Sequence, residues 1–201
     1  MPSEKERMLS GRPYHAFGKE LESERRRAAE LIHEYNHLPP GKWVEGKKIL
    51  KKLLGSTGDH FALEPPFRCD YGYNIHLGEN FFANYNLVIL DCAPVNIGKN
   101  ALIGPDVGIY TASHPVHPEP RSRDLEYALP ITIGDNVWIG GKVLINPGIT
   151  IGDNAVIGSG SVVTRDIPPN VIALGNPCKV HRKITEKDRE YYHLNLRFDE
   201  G

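Results

Sequence analysis

Aliphatic residues recur at every sixth position in the second half of the chain. The main series is Ile133, Ile139, Ile145, Ile151, Ile157 and Val163, and a second series lies two places earlier: Ile131, Val137, Val143, Ile149, Ala155 and Ser161. Shorter runs with the same period occur upstream: Leu77, Ala83, Ile89, and Ile97, Ile103, Ile109. This period fits neither an α-helix, with about 3.6 residues per turn, nor a β-sandwich, whose strands recur about every 8–12 residues. An internal repeat of this kind predicts a solenoid.

Each repeat is predicted to form one short strand and one turn, so that three repeats close a triangular coil. The aliphatic residue points inward and stacks on its equivalent in the next coil, about 4.8 Å away. The glycines after the main series suit corners that need a positive φ or a close backbone approach: Gly134, Gly140, Gly152 and Gly158. Asn100, Asn136 and Asn154 are turn residues that tolerate the left-handed conformation. The predicted fold class is therefore mainly β, a parallel β-helix of hexapeptide repeats.

The repeat breaks once, over residues 111–130. This stretch contains four prolines and five charged residues, which are unsuited to strands along the face of a prism. We therefore predict a protruding loop, and long loops on rigid scaffolds often carry function.

Helices are predicted on either side of the repeats. In the N-terminal segment, residues 1–58, apolar residues recur at three- and four-residue steps from Leu21 to Tyr35, which predicts an amphipathic helix that ends before Pro39. A second helix is predicted from Val44 to Leu54. The β-helix domain is assigned to residues 59–184, followed by a tail, residues 185–201, in which 185–196 is predicted to be helical.

Composition and charge argue against nucleic-acid-binding, membrane and secreted proteins. The formal net charge of −1 gives no indication of a nucleic-acid or membrane partner. No apolar run reaches the roughly 18 residues of a membrane helix, and the N-terminus is charged where a signal peptide would be apolar. Cys69, Cys92 and Cys178 form no C-x-x-C pair, which predicts reduced thiols and a cytoplasmic location. The lysines of residues 42–52 are interpreted as the solvated face of a helix.

Several motifs resemble those of the maltose and galactoside O-acetyltransferases, over nearly the whole chain. Beyond the repeats they are Ser113-His114-Pro115, Ile133 to Gly140, Ile145-Asn146-Pro147-Gly148, Phe67 to Ile75, Phe82-Ala83-Asn84, Glu4-Lys5-Glu6, Leu31-Ile32-His33 and Tyr35-Asn36-His37. The residues Ile109 to Ala112 and Glu126 are more similar to the maltose enzymes. The resemblance implies a left-handed β-helix, acetyl-CoA as co-substrate, a sugar acceptor such as maltose or glucose, and a homotrimer with active sites between subunits.

Moving an acetyl group to a hydroxyl requires a base for the hydroxyl proton and donors for the oxyanion. Histidine suits the first task because its ordinary pKa is about 6.5, and His114 lies at the start of the loop, beside Pro115. The resemblance implies direct transfer with His114 as general base, Asn84 orienting the acceptor hydroxyl, and the backbone N–H of Gly141 as oxyanion donor. A purely turn-forming role is the alternative for Asn84.

The resemblance also implies the two binding sites. The acceptor would meet Asp70, Phe82, Asn84 and Glu126, whereas Ala16 and Cys92 replace acidic residues of the galactoside enzyme, which argues against a galactoside. Coenzyme A would meet Trp138, Gly141, Ser159, Thr164, Arg165, Lys179 and Arg182. Interface packing is the alternative for Trp138, and a solvated basic tail is the alternative for Lys179 and Arg182.

Other functions remain open at this point. The acceptor could be another hydroxyl compound, such as a galactoside, an antibiotic or a chitin-like oligosaccharide. His117, close to His114, raises the possibility of a zinc hydro-lyase of the hexapeptide carbonic anhydrase type, but zinc needs three protein ligands and no matching third histidine lies on the predicted strands, so no metal site is predicted. A trimeric scaffold without activity is the third alternative.

Overall fold

The structure is a computed structural model that describes residues 2–194 and 196–198. The ends of the predicted N-terminal segment and tail, residues 1 and 199–201, lie outside the described residues, as does residue 195. The helices are α1 (Glu4–Leu9), α2 (Lys19–Asn36), α3 (Trp43–Leu53), α4 (Pro118–Arg121) and α5 (Lys187–Glu190). The strands are β1 (Tyr14–His15), β2 (Phe61–Leu63), β3 (Phe67–Cys69), β4 (Ile75–Leu77), β5 (Phe81–Ala83), β6 (Leu87–Leu90), β7 (Val95–Ile97), β8 (Leu102–Ile103), β9 (Gly108–Tyr110), β10 (Ala112–Ser113), β11 (Leu125–Ala128), β12 (Ile131–Ile133), β13 (Trp138–Ile139), β14 (Leu144–Ile145), β15 (Thr150–Ile151), β16 (Val156–Ile157), β17 (Val162–Val163), β18 (Val171–Leu174), β19 (Lys179–Lys183), β20 (Tyr191–His193) and β21 (Leu196–Arg197).

Parallel strands stack into the three faces of a prism. Face a contains β4, β7, β12 and β15, face b contains β2, β5, β8, β13, β16 and β18, and face c contains β3, β6, β9, β14 and β17. Each coil runs from face a through face b to face c, and equivalent residues pair in register, as Ile133 does with Ile97 and Ile151. The predicted fold class, a parallel β-helix with a helical N-terminal segment and a protruding loop, is confirmed.

Both six-residue series point into the prism. All twelve of their members are at most 5% exposed, and burying one valine or isoleucine side chain contributes about 1.5–3 kcal/mol. Ser161, the polar member, donates its hydroxyl to the carbonyl oxygen of Gly158 at 2.5 Å and accepts from the N–H of Gly175 at 3.0 Å. Its hydroxyl is therefore satisfied inside the apolar interior.

Asparagine side chains form a ladder along the edge between faces a and b. The backbone of Asn136 is left-handed, with φ +57°, as predicted, and so are those of Asn100 and Asn154. Each amide nitrogen donates to the amide oxygen of the next coil's asparagine, at 2.8–3.0 Å, in the order Asn80, Asn100, Asn136, Asn154 and Asn170. The ladder thus joins neighbouring coils by side chains as well as by backbone.

The glycines near the corners are required by close approach. A Cβ on Gly134 would lie 2.8 Å from the backbone nitrogen of Asp153, and one on Gly140 would lie 2.6 Å from that of Ser159. Neither glycine is left-handed. Of the two reasons predicted for these positions, the structure therefore selects backbone contact between coils.

The N-terminal helices close one end of the prism. Residues of α2 and α3, including Ile32 and Leu53, pack on Phe67 and Ile75 of the first coils. The Asn36 amide donates to the carbonyl oxygen of Phe67 and accepts from its N–H, both at 2.9 Å. This side chain satisfies backbone groups that would otherwise be exposed at the end of face c. None of the described helices combines the length and the apolar character needed to cross a membrane.

The loop of residues 111–130 is anchored to the N-terminal segment. Strands β10 and β11 form an antiparallel pair, and β1 adds to the other side of β11. A second apolar cluster lies beneath this small sheet and contains Met8, Tyr14, Leu21, Tyr71, Cys92 and Ala128, among others. The first residues of the chain therefore support the protruding loop.

The C-terminal tail differs from its prediction. A helix was expected over 185–196, but α5 ends at Glu190, and β20 and β21 form a hairpin after it. The helix prediction is wrong beyond Glu190, because the aromatic pair Tyr191 and Tyr192 favours extended backbone. The divisions at residues 58/59 and 184/185 remain predictions.

We expect Asn136→Ala to lower the free energy of unfolding by about 2 kcal/mol, since two amide hydrogen bonds are lost and alanine is disfavoured at positive φ. Asn136→Gly should lose only about half as much, because glycine adopts this backbone freely. Denaturant unfolding of both variants measures the difference. Equal losses would show that the left-handed corner carries no cost for alanine.

Candidate active site

One group of predicted site residues lies on the edge between faces b and c. Asn84 follows β5, Gly141 follows β13 and Ser159 follows β16, so these residues line this edge from the second coil to the fifth. The side-chain oxygen of Asn84 accepts from the N–H of Tyr85 at 2.8 Å, which supports a turn role, and the residue is half-buried. Within the described residues, no group accepts from the N–H of Gly141. That N–H is therefore available to a bound oxyanion.

Apolar side chains point outward from face b toward solvent. Phe82, Leu102 and Trp138 pair in register on β5, β8 and β13. Trp138 is 55% exposed and Leu102 is 49% exposed. The equivalent outward residues of face a are polar: His76, Asn96, Thr132 and Thr150. Face b thus differs from face a in having an exposed apolar row.

A second group lies on the edge between faces c and a. Asp70 follows β3, His114 follows β10, Glu126 lies on β11, and Thr164 and Arg165 follow β17. His114 is exposed at the end of β10, where Ser113 pairs with Tyr127 of β11. The small sheet β1-β11-β10 thereby fixes the backbone that carries this imidazole.

Two carboxylates accompany His114 on this edge. The Asp70 carboxylate accepts from the thiol of Cys92, with 3.5 Å between sulfur and oxygen. Burial raises the pKa of Asp70, an effect that the Cys92 thiol and the Arg25 guanidinium oppose. The Glu126 carboxylate accepts from the hydroxyl of the fully buried Tyr14 at 2.9 Å. Both carboxylates are therefore held by neighbours and able to accept hydrogen bonds from hydroxyl groups.

His117 has a structural role. It is the N-cap residue of α4, and its Nδ1 accepts from the N–H of Glu119 at 3.2 Å. His76, on face a, has its Nδ1 within 2.9 Å of the Ser56 hydroxyl. Over residues 2–194 and 196–198, no group of three or more histidine, cysteine, aspartate or glutamate side chains is arranged to hold a metal ion.

The basic residues at the end of the prism are not equivalent. Lys179 and Arg182 are both exposed on β19. The Arg182 guanidinium, however, donates to both oxygens of Asp188, at 2.8 and 2.6 Å. This pairing holds the pKa of Asp188 well below its ordinary value. To bind a phosphate, the Arg182 guanidinium would have to give up one or both of its hydrogen bonds to Asp188.

Asp91, Tyr14 and Arg25 were missed by the sequence analysis. Asp91 is fully buried, and its carboxylate accepts from the backbone N–H groups of Asp70 and Tyr71 at 3.0 and 2.9 Å. One signal was present, since Asp91 is the single acid in the apolar run Leu87–Val95. Its contacts, more than fifteen residues away in sequence, were not visible.

The two groups of site residues are not brought together within one chain. Face c separates them, and a four-residue strand spans roughly 13 Å. A cavity of about 490 Å³ between the α2–α3 connection and β2 contains none of the predicted site residues. A cleft made of both edges requires two copies of the chain.

Comparison with known proteins shows the family to which the chain belongs. A family model described as the maltose acetyltransferase hexapeptide capping motif matches residues 7–58, and one for bacterial transferase hexapeptide (six repeats) matches residues 130–165. The galactoside O-acetyltransferase of Escherichia coli (strain K12) is 47% identical over 187 residues, which cover 93% of this chain and 92% of that protein. The chain belongs to the maltose and galactoside O-acetyltransferase family.

Solved structures of family members share the complete fold. A maltose O-acetyltransferase from Clostridium difficile 630 has a TM-score of 0.91 and 52% identity, over 92% of this chain and 98% of that chain. A galactoside acetyltransferase in complex with coenzyme A has a TM-score of 0.96 and 45% identity, over 100% of both chains. In this chain, the residues that match the capping motif include α2 and α3, the helices that close the prism.

Burial makes the ionisation of Asp91 unfavourable, which predicts a pH dependence of stability. Its pKa is raised from 3.8 to about 6 in the folded chain, so the folded state binds this proton more tightly than the unfolded state. The contribution of Asp91 to the free energy of unfolding therefore falls as pH rises from about 4 to about 6, by on the order of 3 kcal/mol. Asp91→Asn should lack this dependence.

Urea unfolding at pH 4.5 and pH 7 measures this pH dependence of the Asp91 contribution to stability. We expect the stability of the wild type, relative to Asp91→Asn, to be higher at pH 4.5 than at pH 7. Glu79→Gln is the control, because the Glu79 carboxylate also accepts from two backbone N–H groups but lies near the surface. A wild-type advantage that is equal at both pH values would contradict the raised pKa.

Proposed function

We propose that this protein transfers the acetyl group of acetyl-CoA to a hydroxyl group of a sugar such as maltose or glucose. The observation that carries the proposal is an exposed histidine, His114, fixed by a small sheet beside two carboxylates on one edge of the prism. Family membership supports the reaction class, and the solved relative in complex with coenzyme A supports acetyl-CoA as co-substrate.

His114 acts as general base in this proposal. A neutral imidazole accepts the proton of the sugar hydroxyl while the hydroxyl oxygen attacks the thioester carbonyl. The N–H of Gly141, which no described group occupies, donates to the oxyanion that forms. The imidazolium then returns its proton to the departing thiolate, so the reaction needs no covalent acetyl-enzyme.

The acceptor is held by groups from both edges. Asp70 and Glu126 accept hydrogen bonds from sugar hydroxyls, and a carboxylate acceptor makes these bonds stronger than neutral ones. Phe82 offers an apolar surface to the sugar ring, and the amide nitrogen of Asn84 donates to the hydroxyl that reacts. The absence of acidic side chains at Ala16 and Cys92 favours glucose or maltose over a galactoside.

Coenzyme A lies along the later coils. Trp138 contacts the pantetheine chain, Ser159, Thr164 and Arg165 line the channel, and Lys179 and Arg182 meet the phosphates. Trp138 and Ser159 belong to face b and its edge with face c, whereas Thr164 and Arg165 belong to the edge of faces c and a. Like the acceptor site, the donor site therefore combines residues of two neighbouring subunits.

We propose that the chain assembles as a homotrimer, which would bring the two edges together. Three copies around an axis would set the b–c edge of each chain against the c–a edge of the next and make three equivalent clefts. The apolar row of Phe82, Leu102 and Trp138 supports burial of face b in the assembly. A cytoplasmic location is also proposed, supported by three cysteines that are all unpaired.

We expect His114→Ala to lower kcat by about 10²–10⁴-fold, because loss of a general base costs about this much. The KM for acetyl-CoA should stay near the wild-type value. Release of free thiol from acetyl-CoA measures turnover with maltose, glucose, lactose and no acceptor. His117→Ala is the matched control, since it removes a helix cap three residues away, and it should retain most of the activity.

Three outcomes would overturn parts of this proposal. Equal activity of His114→Ala and wild type would remove the general base. Absence of stimulation by any sugar would exclude these acceptors and favour another hydroxyl compound. Failure to bind acetyl-CoA at all would favour a scaffold or, if zinc copurifies with the protein, a hydro-lyase.

The trimer has its own test. Leu102→Arg places a charge in the exposed apolar row of face b and should convert the trimer to monomers that have lost activity. Asn96→Arg is the matched control, because this exposed residue lies in the same coil on the polar face a. Sedimentation equilibrium measures the mass of each variant. A Leu102→Arg protein that remains trimeric and active would contradict burial of face b.

A further inference from the structure

Asp91 is a buried carboxylate that binds the turn between β3 and β4. It is 0% exposed and lies at the end of face c, one coil above the turn of residues 70–74. One of its oxygens accepts from the N–H groups of Asp70 and Tyr71, and the other accepts from the N–H of Asn74 at 3.4 Å. The amide of Asn74 donates in return to the backbone oxygen of Asp91 at 2.7 Å. Both ends of the turn are thus bound to one residue.

A carboxylate is a costly means of holding a turn inside a protein. Removing an ionised group from water is unfavourable unless hydrogen bonds compensate it. Here three backbone N–H groups of the turn offset part of this desolvation cost. A neutral side chain would carry a smaller desolvation cost, but it would not supply two acceptor oxygens to three N–H groups.

The turn that Asp91 holds carries Asp70 at its first position. In addition to the hydrogen bond from its backbone N–H, the Asp70 carboxylate accepts a hydrogen bond from the thiol of Cys92, the residue that follows Asp91. Tyr71, the next residue, accepts from the Arg25 guanidinium at 2.7 Å. The backbone and the carboxylate of Asp70 are therefore held by two neighbouring residues, Asp91 and Cys92.

We propose that Asp91 is a positioning residue for the acceptor, which fixes the turn of residues 70–74 so that the Asp70 carboxylate faces the sugar beside His114. This inference rests on the proposed function. Asp91 itself touches no substrate, since it is fully buried beneath the turn, and it acts through Asp70.

Asp91→Asn tests the inference, because it keeps the volume but replaces one acceptor oxygen by an NH2 group that cannot accept. We expect the KM for the best sugar acceptor to rise about tenfold, which corresponds to about 1.4 kcal/mol. The kcat should change less than threefold, and the KM for acetyl-CoA should not change. Glu79→Gln is the matched control, since Glu79 accepts from the N–H groups of Asp59 and His60 on another edge; its acceptor KM should equal that of wild type.

A double-mutant cycle separates positioning from a general structural role. If Asp91 acts through Asp70, Asp91→Asn should have no further effect on the acceptor KM in an Asp70→Asn background. The same tenfold rise in both backgrounds would overturn the inference, as would an unchanged KM in Asp91→Asn alone. If Asp91→Asn does not fold, Asn74→Ala takes its place, because it frees the same turn and leaves the carboxylate intact.

Failure of the proposed function and failure of the inference about Asp91 give different results. If no sugar stimulates wild-type turnover, the proposed function falls, and the inference falls with it. If sugar stimulates the wild type but Asp91→Asn binds sugar equally well, only the inference is wrong.

Discussion

Stacking of aliphatic side chains along the inside of the prism is the interaction on which the rest of the structure depends. Each coil contributes short strands of two to four residues, too short to form a stable sheet alone. Their inward residues bury completely only when a neighbouring coil lies above or below. Stability is therefore shared between adjacent coils, and both ends of the stack need closure. Helices α2 and α3 close one end, and β19 pairs with β18 at the other.

A rigid prism has consequences for its surface. Because the coils stack in register, equivalent residues of each coil form straight rows, and an edge or face can carry one kind of side chain along its length. The a–b edge carries a ladder of asparagines, the outward side chains of face a are polar, and those of face b are apolar. The candidate site uses the two remaining edges. Rows of this kind provide an extended surface for a long cofactor, and the proposed active site combines two such edges from neighbouring subunits.

His114 and the two carboxylates proposed to bind the acceptor lie where the repeat is interrupted. Residues that depart from the repeat lie on the c–a edge: the turn 70–74, the acid Asp91 and the loop 111–130. These interruptions are held by polar contacts, such as Tyr14 with Glu126 and Asp91 with the turn. Buried polar contacts of this kind have strict geometry and leave unpaired groups when broken. Apolar stacking thus gives the fold its stability, while polar contacts hold the candidate site residues of this edge in place.

The sequence by itself determined the coil. A repeat of six residues is a local signal, and the inward rows, the left-handed asparagines and the loop could all be predicted from it. The choice of His114 within that loop depended on the resemblance to the family. Only the tertiary structure decided the environment of the site: that Tyr14 binds Glu126 from 112 residues away, that Asp91 holds the Asp70 turn, that Arg182 is paired with Asp188, and that the site residues divide between two edges. These facts depend on which distant residues the coils and the loop bring into contact, and a periodic pattern contains no information about such pairs.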